Sequence, residues 1–77
     1  MTLDAGKING SYCLGKMDLP VAVAKRLECL GMTRGTEIHV LNNMDQGTMI
    51  VKVRGTRFAI GRGISRKITA SPTVRGS

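Results

Sequence analysis

Alternation with a period of two governs most of this chain, and one interval of helical spacing interrupts it. In Gly10 to Met17 (GSYCLGKM), Tyr12 and Leu14 fall on one face, which predicts a short first strand with Gly15 marking a bulge. Val23, Leu27 and Leu30 then recur at i, i+4 and i+7, the stripe of an amphipathic helix. Asp18 suits its N-cap and Pro20 is tolerated in its first turn. Gly31 follows the last periodic residue, where a left-handed C-cap costs least. The predicted helix runs from Leu19 to Leu30.

After Met32, Thr33-Arg34-Gly35-Thr36 reads as a tight turn in which Gly35 supplies a positive φ. A second strand begins at once, with Ile38 and Val40 inward and Glu37, His39 and Asn42 outward. Asn43 to Thr48 (NMDQGT) is polar and contains Gly47, as a connecting loop does. Met49 to Arg54 puts Met49, Val51 and Val53 on one face and Lys52 and Arg54 on the other. Gly55 marks a hairpin about Arg54-Gly55, and Thr56 to Ile60 returns with Phe58 and Ile60 against Arg57 and Ala59. Gly61 to Ser65 (GRGIS) makes a helical turn or irregular corner before a last strand near Lys67 to Ala70. Ser71 to Ser77 carries no pattern, so a flexible tail is expected beyond a single domain of residues 1–70. The sum is a mainly β fold: about five short strands, one helix inserted after the first, curled into a small barrel that reduces exposed edges.

Composition narrows the core and the partner. A chain of 77 residues buries a modest share of its surface, and with one Tyr, one Phe and no Trp its core must be built from Val, Ile, Leu and Met. The formal charge of +7, from 12 Lys and Arg against 5 Asp and Glu, points to an acidic partner: nucleic acid, an anionic membrane face or an acidic protein surface. No apolar run approaches the ~20 residues that span a bilayer. The start, MTLDAGKINGSY, lacks the basic end and apolar stretch of a secretory signal. Two cysteines allow one disulfide at most, and the expectation is a cytoplasmic protein with reduced thiols.

The helix-to-strand junction carries a resemblance. The pattern L-x-x-L-G-M-x-x-G-x-x-I-x-V at Leu27 to Val40, followed by I-V-x-V-R-G-T-R-F-A-I-G-R-G-I at Ile50 to Ile64, resembles the ferrous iron transport protein A family. The resemblance runs from about Leu3 to Ile68, in order and spacing. It departs at Asn43 to Thr48, where many members have A-P-L-G-D-P. The resemblance implies an SH3-like β-barrel without enzymatic chemistry. It also implies a cytosolic accessory role beside the large membrane GTPase that carries ferrous iron.

The chemistry-bearing residues give no catalytic or metal constellation. His39, Cys13 and Cys29 are of metal-ligating type, but none lies at CxxC or HxxxH spacing, and Cys29 reads as a small residue on or near the packed helix face. Met17, Met32, Met44 and Met49 read as core filling and loop borders before a soft-metal array. Asp4, Asp18, Glu28, Glu37 and Asp45 are scattered, and no GxxxxGK[ST] loop occurs. No catalytic, cofactor-binding or metal residue is therefore assigned. Arg54, Arg57, Arg62, Arg66 and Lys67 concentrate positive charge in the C-terminal half, where a solvated face and a partner-binding face explain them equally well. Gly31, Gly35 and Gly55 are assigned as structural turns.

Two functions from different classes follow. The first is an interaction module acting on the cytosolic part of a ferrous iron transporter, as the resemblance implies. The second is a small basic barrel that binds RNA or DNA. The second is weakened by aromatic poverty, because stacking contributes ~1–3 kcal/mol per base and only Tyr12 and Phe58 are present, both needed by the core.

Overall fold

Alternate apolar positions become strands that bury one face. The structure, a computed structural model that describes residues 1–43 and 47–73, contains five: β1 (Ser11–Met17), β2 (Glu37–Asn43), β3 (Thr48–Val53), β4 (Thr56–Gly61) and β5 (Ile68–Pro72). All pairings are antiparallel, in the order β4-β3-β2-β1-β5. A helix α1 (Val21–Cys29) follows β1, a short helix α2 (Arg62–Ser65) follows β4, and Leu3–Ala5 forms a 3-10 turn. Tyr12, Leu14, Ile38, Val40, Met49, Val51, Val53, Ile60, Ile68 and Ala70 point inward from the strands, and Leu3, Leu27 and Met32 complete the core from outside them. Tyr12 is buried and Phe58 half-buried against this core, as the composition requires. The β1–β5 register shifts between Leu14 and Met17, at the predicted Gly15 bulge, and β2–β3 shifts between Val40 and Asn42. Such shifts bend and twist the sheet, which lets so short a set of strands wrap a core.

The helix-to-strand junction is set by two backbone reversals. Gly31, at φ +95°, donates its N–H to Glu28 O at 2.9 Å, while Met32 N–H reaches Leu27 O at 3.0 Å. This is the paired 5→2 and 6→1 bonding of a Schellman motif, and it carries Met32 into the same buried cluster as Leu27. Thr36 N–H then closes a turn on Thr33 O at 3.0 Å, with Gly35 at φ +89°. Gly35 N–H donates to Leu14 O at 2.7 Å, and Leu14 N–H donates to Thr36 O at 2.9 Å, so the turn docks onto β1 and β2 leaves in register. At the third predicted turn, Arg54 (φ +51°) and Gly55 (φ +85°) form a two-residue hairpin of the primed type.

Several expectations are corrected. The helix begins at Val21 rather than Leu19, and Pro20, with extended ψ of 146°, holds the N-cap position that Asp18 was expected to take. Sterics explain this, because the residue before a proline is pushed out of helical geometry, so the helix starts only after Pro20. Asp18 instead donates its backbone N–H to Lys67 O at 2.9 Å. Leu30, expected on the buried stripe, is 44% exposed, because the reversal at Gly31 gives its place to Met32. Asn43 and Thr48 belong to β2 and β3 rather than to a loop, and the loop positions Met44 to Gln46 lie outside the described residues. β3 ends at Val53, since Arg54 has entered the turn. β5 continues through Ser71 and Pro72, which pair with Cys13 and Tyr12, so the chain past Ala70 is not a tail at those positions. Thr73 Oγ1 also donates to Glu37 Oε2 at 3.2 Å, while Val74 to Ser77 lie outside the described residues.

The pattern assigns nothing to the first nine residues, yet they are bound throughout. Asn43 Nδ2 donates to Asp4 O at 3.1 Å and Gly6 O at 2.8 Å, Lys7 N–H donates to Tyr12 Oη at 2.8 Å, and Asn9 N–H donates to Val40 O at 2.7 Å. Just before these anchors Leu3 inserts completely into the core. Two predictions follow from this arrangement. Gly31→Val and Gly35→Val should each lower unfolding free energy by more than ~1 kcal/mol in urea titrations, because a β-branched residue is strained at those φ values; unchanged midpoints for both would contradict the junction described here. Leu3→Ala should cost ~2–5 kcal/mol by the same assay, whereas an N-terminal segment lying loosely on the surface would show almost no change.

Candidate functional site

Strand register places side chains that are far apart in sequence in one row. Lys52 pairs with Arg57 across β3–β4, His39 pairs with Lys52 across β2–β3, and Ser11 pairs with His39 across β1–β2. Their neighbours along each strand (Tyr12, Ile38, Val40, Val51 and Val53) are buried, so the row lies on the outer face. Strands are spaced ~4.8 Å apart, so three basic side chains occupy a span of ~10 Å. His39 Nδ1 is 3.1 Å from Ser11 Oγ, which holds the ring over the sheet.

The Lys52–Arg57 pair is electrostatically unfavourable as it stands. Val53 and Thr56 close the hairpin, so the next pair, Lys52 with Arg57, sits at the closely spaced, non-hydrogen-bonded position. Like charges directly opposite destabilise a sheet. Among the described residues neither side chain has an acidic partner. A ligand carrying negative charge is the group that would relieve this arrangement.

The five basic residues singled out from the sequence do not form one face. Arg57 joins the row, and all five are exposed. Arg54 sits at the hairpin tip, with its stem laid towards the end of α1: a Cβ built at Gly31 would lie 3.6 Å from Arg54 Cδ. Arg62 belongs to α2, with Arg66 and Lys67 just beyond it, at the end of β4 opposite the hairpin. Six residues of strand separate those ends, about 20 Å. Lys52 and His39, which sequence reasoning left as ordinary outward positions, are the residues that register brings to Arg57.

The other candidates separate in space. Cys13 is half-buried on β1 opposite Glu37, whereas Cys29 is exposed on α1, away from the packed helix face expected for it. Among the described residues no three His, Cys, Asp or Glu side chains converge as metal ligands. Met32 and Met49 are buried in the core, the use foreseen for them. A cleft of about 220 Å³ lies between α1 and β1, with Gly15 and Ala24 in its wall and Lys16, Arg34 and Glu28 around it. It falls below the ~300 Å³ at which small-molecule sites begin.

Comparisons with known proteins agree with this architecture. The sequence profile of the FeoA domain family matches residues 1–72. A Methanocaldococcus jannaschii protein assigned as Fe(2+) transport protein A is 34% identical over 61 residues, which span 79% of this chain and 73% of that protein. Among solved structures, the FeoA protein of Chlorobium tepidum superposes with a TM-score of 0.88 at 25% identity, covering 96% of this chain and 71% of that one. A crystal structure of an iron uptake regulatory protein (FeoA) gives 0.86 at 25% identity, covering 95% and 97%. The manganese regulator SloR, 18% identical with a TM-score of 0.79 over 94% of this chain and 34% of its own, shares the fold alone. With five antiparallel strands, one helix after the first and the profile match reaching from residue 1 to 72, the chain belongs to the FeoA domain family, that of ferrous iron transport protein A, and its sheet is the family's SH3-like fold.

Proposed function

We propose that this protein is a cytosolic, non-catalytic accessory of ferrous iron transport that binds the cytosolic region of a partner membrane GTPase transporter. Membership of the FeoA family supports the transport setting. The observation that carries the binding role is the opposed Lys52–Arg57 pair, flanked by His39, on the outer face of the sheet. Among the described residues no helix is long and apolar enough to cross a membrane, and no cluster of three metal-ligating side chains is present. In this reading the row acts by recognition: guanidinium and ammonium groups pair with carboxylates of the partner, and the opposed pair of like charges is neutralised on binding.

The same row would also attract phosphates, so nucleic acid is the competing ligand. Base stacking has little to work with, because Tyr12 is buried and its hydroxyl is taken by Lys7 N–H, while Phe58 is packed against the core. Binding to RNA or DNA should be weak and steeply salt-dependent.

Charge reversal at Arg57 separates stability from function. Arg57→Glu should raise unfolding free energy by ~0.2–1 kcal/mol, since the new carboxylate faces Lys52, yet weaken binding to the transporter's cytosolic region about tenfold or more by calorimetric titration. Submicromolar binding to RNA at physiological salt, with no association with the transporter fragment, would replace the transport reading by the nucleic-acid one. Anaerobic titration of the isolated protein with ferrous iron, and separately with zinc, should show weak binding or none. A tight one-to-one site abolished by Cys13→Ser or His39→Ala would make those residues ligands.

A further inference from the structure

The two outer strands of the sheet are finished differently. The free edge of β5 is occupied by the chain's own N-terminus: Thr2 bridges Thr69, and Ala70 N–H donates to Met1 O at 2.8 Å. The edge of β4 has no such cover among the described residues, since β4 pairs with β3 alone and meets α2 only at its end. Hairpin geometry fixes which groups point outward. Val53 and Thr56 close the two-residue turn as a hydrogen-bonded pair, so Thr56, Phe58 and Ile60 bond to β3, while the N–H and C=O of Arg57 and Ala59 point away from it. The β3–β4 register runs unbroken from Val53↔Thr56 to Thr48↔Gly61, whereas β1–β5 and β2–β3 each carry a shift. Proteins ordinarily blunt such an edge with a bulge, a proline or a covering segment. Among the described residues positive charge is what guards it.

We propose that the free edge of β4 takes an extended acidic segment of a partner protein as an added strand. This rests on the accessory role above and deepens it by naming the mode of contact. Arg57 and Lys52 face carboxylates at outward positions of the added strand. Half-buried Phe58 faces an apolar residue on the inward side, and exposed Arg62 meets a further carboxylate where β4 ends. The chemistry recognised is thus an extended segment with acidic residues alternating with apolar ones. Main-chain bonds to Arg57 and Ala59 supply affinity, and the side chains supply choice. A second copy of this chain is a poorer occupant, because each copy carries +7 and pairing two β4 edges would add arginine to arginine.

The test uses the full ¹⁵N-labelled chain and a blocked peptide, Glu-Val-Glu-Val-Glu-Val-Glu. Amide exchange of the protein at Arg57 and Ala59 should slow by about tenfold or more at saturation, with no effect from the Lys-Val counterpart. Ala59→Pro removes an N–H that bonds nothing in the free sheet, and it should abolish this protection. If that variant disturbs the sheet, the fully N-methylated Glu-Val peptide lacks the N–H groups that would donate to the C=O of Arg57 and Ala59, and it should not bind. Equal binding of the N-methylated peptide would overturn the proposal in favour of simple charge pairing on the sheet face. Protection of the same amides by raised protein concentration without peptide would assign the edge to a second copy instead. Undiminished binding of the transporter's cytosolic region by folded Ala59→Pro would overturn the strand mode while leaving the accessory role standing. Protection by the peptide without transporter binding would support the edge site and count against that role.

Discussion

The left-handed backbone at Gly31 is the constraint on which the remaining structure depends. Its two bonds to α1 end the helix, turn Met32 into the core and deliver the chain to the Gly35 turn in one short passage. Because that turn is bonded to Leu14 on both sides, the pairing of β2 with β1 is decided before β2 begins. A slip of one residue there would send Ile38 and Val40 to solvent and Glu37 and His39 inward. The outward row of His39, Lys52 and Arg57 is thus a downstream result of a helix stop some twenty residues away, since each hairpin inherits its register from the one before.

Electrostatics gives the outer face a character that folding alone does not ask for. A chain with 12 basic and 5 acidic side chains has carboxylates available, yet among the described residues no ion pair joins one to Lys52 or Arg57, and Glu37, which register brings diagonally to Lys52, accepts from Thr73 Oγ1. Solvent screening over ~8 Å makes the repulsion tolerable on an exposed face, so the sheet survives it. Natural folds break local rules of this kind mostly where something must bind. The hairpin tip adds a second departure, since Arg54 occupies a positive-φ position that Asn or Gly fills at lower cost.

Much of the fold was legible because each strand buries a single face. Ile38, Val40, Met49, Val51 and Val53 announce their sheet face by alternation, and Gly31, Gly35 and Gly55 mark the reversals by having no Cβ. Periodicity misjudged Leu30 because it counts positions along an ideal helix and cannot register that the chain reverses before that turn is complete. Leu3 was invisible for another reason: a lone apolar residue has no period, and it is held between long-range contacts, Thr2 bridging Thr69 on one side and Asn43, forty positions away, gripping the carbonyls of Asp4 and Gly6 on the other. The candidate site was the least legible part. Clustering along the sequence grouped Arg54, Arg57, Arg62, Arg66 and Lys67, while the row in space is made by cross-strand register, which no single strand's pattern contains.

The shortage of aromatic rings leaves sulfur in the centre of the core. Met32 and Met49 are almost wholly shielded, so their thioethers meet peroxide or hydroxyl radical only when the structure opens. Conversion of either to its sulfoxide would place a polar, chiral group in a cluster of buried apolar side chains. The chemical lifetime of these two side chains is then a matter of opening frequency. The helix stop at Gly31, by keeping Met32 closed in, sets how often that sulfur is exposed as well as where the chain turns.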